Sequence, residues 1–277
     1  MNQPYSELPK RIPRLALMGE FSAGKSTLAN LLLGTPVSPV MATATQLPPI
    51  WYRSGIGSAL VKRGSGDVPF DFASINQTDM TEVHLIYHRL GARILSVAEV
   101  IDFPGTADPN MDLAVWKALI PQLDMVFWCT PAHQAWRQSE AALWEEMPEA
   151  LKKRSALLVT RMDQVLTETA KARLLHRLRQ EVENEFAAVL PVSLTGNPHD
   201  PQSKPSGLRE AVQTMQRWCV EIDQAGTTSE ARPLNLEALS PPPADAVARP
   251  VRAIKQGGVT PRRIFPRGLA PAGQSLA

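Results

Sequence analysis

Apolar residues recur along this chain in two rhythms, one of period two and one of helical spacing, and both stop after residue 226. Residues 15–18 form a short apolar run, followed by a glycine-bearing loop and a helical pattern over residues 25–33. Residues 46–52 and 59–63 read as strands, and Val83, Leu85 and Tyr87 alternate as one face of another. The run at 97–101 ends in the turn Asp102-Phe103-Pro104-Gly105. Residues 125–129 and 156–159 are apolar throughout, as parallel strands covered on both faces are. Helical patterns occupy 111–120, 139–146, 166–189 and 208–222, and the stripe Leu174, Leu175, Leu178, Val182, Phe186 supplies a core face for the third. Strands alternating with helices predict an α/β fold of three layers with a mainly parallel central sheet.

The pattern divides the chain into a flexible arm (1–13), a folded domain (14–226) and a tail (227–277). Eight of the last 51 residues are proline and large apolar residues thin out, so the tail cannot bury enough surface to offset chain entropy and is expected to be disordered. With 44% apolar residues in 277, the rest can fill a sizeable core. The net charge of +2 excludes a polycation that coats nucleic acid, and no specific nucleic-acid partner is expected. Residues 249–267 nevertheless carry six basic and no acidic groups, with Ile254, Ile264 and Phe265 interspersed. That stretch reads either as a solvated linker or as a contact for an anionic membrane surface or an acidic protein partner. Cys129 and Cys219 cannot build a disulfide framework, and no run approaches the 18–20 apolar residues of a membrane span. A cytoplasmic protein, at most peripheral at the inner face of the membrane, is the expectation.

The chemistry begins at Gly19-Glu20-Phe21-Ser22-Ala23-Gly24-Lys25-Ser26, a full match to GxxxxGK[ST] between an apolar strand and a helix. Glycines let such a loop turn successive N–H groups toward phosphate oxygens, and the helix N-terminus adds partial positive charge. Lys25 is expected on the β and γ phosphates, Ser26 on Mg²⁺, and Thr27 beside it in the nucleotide site. Asp102 at a strand end can hold the Mg²⁺ through water, while the Gly105 N–H can meet the γ-phosphate. After the strand at 156–159 comes Thr160-Arg161-Met162-Asp163. There Asp163 can accept from N1–H and the exocyclic amine of guanine, a donor pair adenine lacks, and Arg161 can lie over the base. Ser193, followed by Leu194, resembles by position the turn with which GTPases lend a backbone N–H to the guanine O6.

These four elements in this order resemble the GTPases of the phosphate-loop class, and the form of the first is most similar to the bacterial branch of the dynamin superfamily. Residues 38–45, Ser-Pro-Val-Met-Ala-Thr-Ala-Thr, resemble a degraded switch I, and Gln134-Ala135-Trp136-Arg137-Gln138-Ser139-Glu140 resembles a segment of bacterial dynamin-like GTPase domains. The resemblance covers roughly residues 14–222. It implies Thr45, with Thr43 second, as the switch I threonine that completes the Mg²⁺ shell, and Ser22 as the loop serine that positions catalytic groups. It also implies GTP/GDP as ligand and dimerisation across the nucleotide face.

Two departures change the picture. Phe21 stands where several dynamins have a water-orienting glutamine, and Thr106, not glutamine, follows Gly105. Hydrolysis is therefore expected to be slow, or to use a second protomer or a monovalent cation. The chain also offers no long helical bundle after residue 222, so a stalk is not expected. The sequence thus reads as a Mg²⁺-dependent GTPase switch. The alternatives are a nucleotide-gated interaction module with negligible hydrolysis and, third, an ATPase. His84 and His88, four apart on a strand, do not form a metal face.

Overall fold

The computed structural model describes residues 11–39, 47–57, 59–63, 66–72, 80, 83–106, 113–195 and 205–225. Thr43, Thr45, most of the arm and the whole proline-rich tail lie outside the described residues. Nine strands form one sheet: β1 (Arg14–Gly19), β2 (Ile50–Ser54), β3 (Ala59–Arg63), β4 (Gly66–Phe70), β5 (Val83–Leu90), β6 (Glu99–Asp102), β7 (Met125–Pro131), β8 (Ser155–Thr160) and β9 (Ala188–Pro191). Their order is β4-β3-β5-β2-β6-β1-β7-β8-β9. The half from β6 to β9 is parallel throughout, and β2 joins it antiparallel to β6. The helices are α1 (Lys25–Leu33), α2 (Leu113–Leu119), α3 (Gln138–Glu145), α4 (Glu149–Lys152), α5 (Glu168–Glu181) and α6 (Leu208–Gln224).

Period-two alternation in β1 explains the layers. Leu15 and Leu17 face a cluster that takes Leu28 and Leu32 from α1 and Ala211, Met215, Trp218 and Ile222 from α6. Ala16 and Met18 face a second cluster with Trp116 and Leu119 from α2 and Trp144 from α3. The predicted three-layer α/β fold with a mainly parallel sheet is the observed one.

Several element boundaries differ from the sequence reading, each for a local reason. The strand read at 46–52 begins only at Ile50, because Pro48 and Pro49 have no N–H to give a ladder. The strand read at 97–101 starts at Glu99, since Arg93–Ser96 form a 3-10 turn before it. The helix read over 166–189 ends at Glu181, and Ala188–Pro191 are β9. Val182 and Phe186 continue the apolar stripe from a turn in which Asn184 takes a left-handed φ of 69°. Arg11, read as part of the arm, is held against the domain by two bonds to Asp124, at 2.9 and 2.6 Å.

Among the described residues no helix is long and apolar enough to cross a membrane, and no cluster of His, Cys, Asp and Glu could hold a metal ion. Burial pushes the Cys129 thiol up to about 12 and that of Cys219 up to about 11. Both lie above the ordinary thiol value of roughly 8.5–9 that the unfolded chain would show. The folded state thus keeps protons that the unfolded chain releases. Their contribution to stability is complete below about pH 8.5 and falls as pH rises toward 12, by up to ~1.4 kcal/mol per pH unit and thiol. Native protein at pH 8 should resist a thiol reagent that titrates both cysteines after denaturation, and its melting temperature should decline above pH 9. Equal reaction rates in the two states would remove this expectation.

Candidate nucleotide site

The residues read as phosphate-binding sit on the loop between β1 and α1, at the C-terminal edge of the parallel strands. Gly19 ends β1 with φ 127° and lies so close to β7 that an added Cβ would fall 2.0 Å from the Cys129 carbonyl oxygen. Ser22 takes a left-handed φ of 57° and is exposed, which turns the loop around Ala23 and Gly24. Lys25 opens α1 and folds over the loop, where its Nζ donates to the carbonyls of Gly19 at 3.0 Å and Glu20 at 2.7 Å.

The turn after β6 presses on the loop from one side. A Cβ on Gly105 would stand 2.7 Å from the backbone N and Cα of Phe21, so only glycine permits this approach. Thr106 donates its N–H to the Gly19 carbonyl at 3.2 Å. Asp102 is buried, and its Oδ2 accepts from the Ser38 hydroxyl at 2.6 Å. Ser38 is in turn clasped by Asn30 of α1, through Oδ1 to its N–H and Nδ2 to its carbonyl. Burial draws Lys25 down and Asp102 up, each toward its neutral form; the hydroxyl of Ser38, the mutual attraction of the pair and the hydroxyl of Ser26 work against that shift at Asp102. The other carboxylate oxygen, Oδ1, is buried without a hydrogen-bond partner among the described residues. A hard divalent cation or its water fits such an oxygen beside the Ser26 hydroxyl. Thr45 and Thr43, the other expected ligand and its alternative, lie outside the described residues.

On the opposite side the turn after β8 is tied to the same loop. The Thr160 hydroxyl donates to the Ala23 carbonyl at 2.9 Å, and the Arg161 guanidinium to the Ser22 carbonyl at 2.8 Å. Arg161 takes φ 57°. Between this turn and α1 lies a cavity of about 320 Å³ whose walls include Gly24, Thr27, Arg161, Asp163 and Leu194. The N–H of Ser193, expected to serve a guanine O6, is donated instead to the Ser206 carbonyl at 3.0 Å. A short bridge to Ser206 takes that donor, which leaves Leu194 and Thr195 as the residues of this turn on the cavity.

No family model matches the chain. A stretch of 122 residues is 31% identical to the isoniazid-induced protein IniC of Mycobacterium tuberculosis, covering 39% of this chain and 24% of that protein. The chain thus spans about a quarter of the length of the curated relative it matches. Among solved structures, an oligomerised bacterial dynamin pair described in connection with long-range sensing and tethering of membranes superposes with a TM-score of 0.57 at 17% identity, over 77% of this chain and 36% of the other. A second structure of such a pair gives 0.56 at 16% identity over the same shares. About three quarters of this chain has the fold of one part of a bacterial dynamin.

In this domain, sequence reasoning missed the side chains that brace the loop. Glu20 was read only through its backbone, yet its carboxylate is buried and bonded to Arg137 and Ser139. Glu140 is fully buried at the first turn of α3. Glu140 accepts the Arg137 N–H at 3.0 Å, one half of a capping box, but an arginine at the N-cap cannot accept in return, so the pattern does not show in the sequence. Ser38 was noticed only as the start of a switch-like stretch, because its tie to Asp102 joins residues 64 apart in sequence.

Proposed function

We propose that this chain is a Mg²⁺-dependent guanine-nucleotide switch that binds and slowly hydrolyses GTP on a domain spanning residues 14–226. The observation that carries the reading is the cavity whose walls combine Gly24 and Thr27, on either side of Lys25 and Ser26 in sequence, with Asp163 and Leu194, which supports a base site beside the phosphate loop. In this reading the loop amides and Lys25 hold the β and γ phosphates and stabilise the charge that develops between them. Ser26, Asp102 and Thr45 hold the Mg²⁺, which when bound neutralises phosphate charge. Asp102, Gly105 and the stretch around Thr45 report the γ-phosphate, and Ser22 positions the catalytic groups. Asp163 selects guanine, with Arg161 anchored across the loop beside it. Phe21 and Thr106 supply no side-chain amide for the attacking water, which supports a low intrinsic rate. Dimerisation across the nucleotide face, a monovalent cation, and attachment of the basic tail to an anionic membrane or protein partner complete the proposal.

The test is Mg²⁺-dependent binding of fluorescent GTP and ATP analogues to the purified chain. GTP should bind at least tenfold more tightly, and Asp163→Asn should remove that preference, since a charge-assisted bond contributes roughly 1.5–3 kcal/mol. Equal binding of the two analogues would remove the guanine reading. Turnover at saturating GTP, with and without K⁺ and at rising protein concentration, separates a hydrolysing switch from a gated binding module.

A further inference from the structure

The phosphate loop carries a buried carboxylate, an unusual companion for a group that must accept a polyanion. Glu20 is 6% exposed, and its carbonyl is one of the two that hold the Lys25 ammonium. Its side chain points away from that carbonyl toward the start of α3. There Oε2 accepts from Arg137 Nη1 at 2.9 Å and Oε1 from the Ser139 hydroxyl at 2.7 Å. Both oxygens of one buried anion are thus satisfied by a single turn of a different element.

Arg137 is aimed by a device that has no other evident use. The residue before it, Trp136, takes φ 57°, a conformation that bulky side chains adopt only when the surroundings enforce it. Here its N–H is bonded to the Thr130 hydroxyl at 2.9 Å, and its ring meets Trp128 and Phe186 edge-on. Glu140, with no exposed surface, accepts from Trp128 Nε1, from the Thr130 hydroxyl and from the Arg137 N–H. The main chain is fastened at Arg137 and at the residue before it, while the Arg137 side chain stays 43% exposed.

We infer that Arg137 is a positioning residue for the phosphate loop, acting through Glu20: it neutralises the carboxylate beneath the loop and holds the loop in the form that accepts phosphates. The inference rests on the nucleotide reading above and assigns a role to the segment 134–140. The ion pair's two members are unequal. Removing Arg137 leaves a buried, uncompensated negative charge under a polyphosphate site, whereas removing the charge of Glu20 leaves a half-exposed guanidinium that water can solvate. The damage done by losing Arg137 should therefore be undone by also neutralising Glu20.

The experiment is Mg²⁺-dependent binding of the fluorescent GTP analogue to the full chain as wild type, Arg137→Ala, Glu20→Gln and the double variant, with melting temperatures recorded alongside. Arg137→Ala should weaken binding at least tenfold, Glu20→Gln less than threefold, and the double variant should return to within threefold of wild type. An Arg that merely ties two elements together would make Glu20→Gln as damaging as Arg137→Ala, with the double variant no better than either. Binding by Arg137→Ala within twofold of wild type, or a double variant as weak as Arg137→Ala, overturns the inference. If Arg137→Ala does not fold, Arg137→Gln carries the same comparison with the same outcomes. A wild-type chain that binds no nucleotide instead ends the nucleotide reading itself, so the two failures are distinguishable.

Discussion

Lys25→Ala is expected to lower affinity for a Mg²⁺-bound guanine nucleotide at least a hundredfold while the chain remains folded. The ammonium is 7% exposed and already desolvated, so turning from the Gly19 and Glu20 carbonyls to phosphate oxygens exchanges neutral acceptors for charged ones without a new desolvation penalty. Loss of a buried charge-assisted contact of this kind costs about 3–5 kcal/mol, which is two to more than three decades in affinity. The folded state loses less. The substitution removes a buried cation whose ionised form burial already disfavours, and Asp102, which burial already pushes up, keeps its bond from Ser38 and can take up a proton in place of the lost cation. Titration with the fluorescent GTP analogue, paired with a thermal melt, separates the two effects. Affinity within tenfold of wild type would show that Lys25 does not face phosphate.

The second large effect concerns the fold. Gly19→Ala should destabilise the protein by more than about 4 kcal/mol, enough to lower the melting temperature by roughly 10 °C. The Cβ would stand 2.0 Å from a carbonyl oxygen of β7, and that oxygen belongs to the backbone of a central strand, not to a side chain that can swing aside. The φ of 127° adds strain for any L residue. Neither β1 nor β7 can retreat, since each is hydrogen-bonded to a strand on its far side as well. A melting temperature within 3 °C of wild type would contradict the close approach.

The parts of this architecture that could be read in the sequence are those where local pattern and chemistry coincide. The phosphate loop lies between an apolar strand and a helix because the same few residues specify the turn, the strand end and the anion site. The continuous apolar runs of β7 and β8 are equally explicit, since both faces are covered. What escaped has a physical reason in each case. β4 is exposed at four of five positions and carries Pro69 at the sheet edge, so nothing alternates. β9 is four residues long and continues an apolar stripe begun by α5, which hides the change of element. In the site, the motif positions were legible, but the pairs Asp102–Ser38 and Glu20–Arg137 join residues 64 and 117 apart, and single-chain spacing carries no trace of them. Ser193 shows the converse: its local pattern suggested a free donor, and the bridge to Ser206 occupies it.

The bonds from Thr160 to the Ala23 carbonyl and from Arg161 to the Ser22 carbonyl have a kinetic consequence. In the proposed reading they join the turn that faces the base to the loop that faces the phosphates, so the two ends of the ligand site are coupled. On that reading, a displacement of the turn at 161 is passed to the loop at 22, and release of the base is expected to loosen the hold on the phosphates as well.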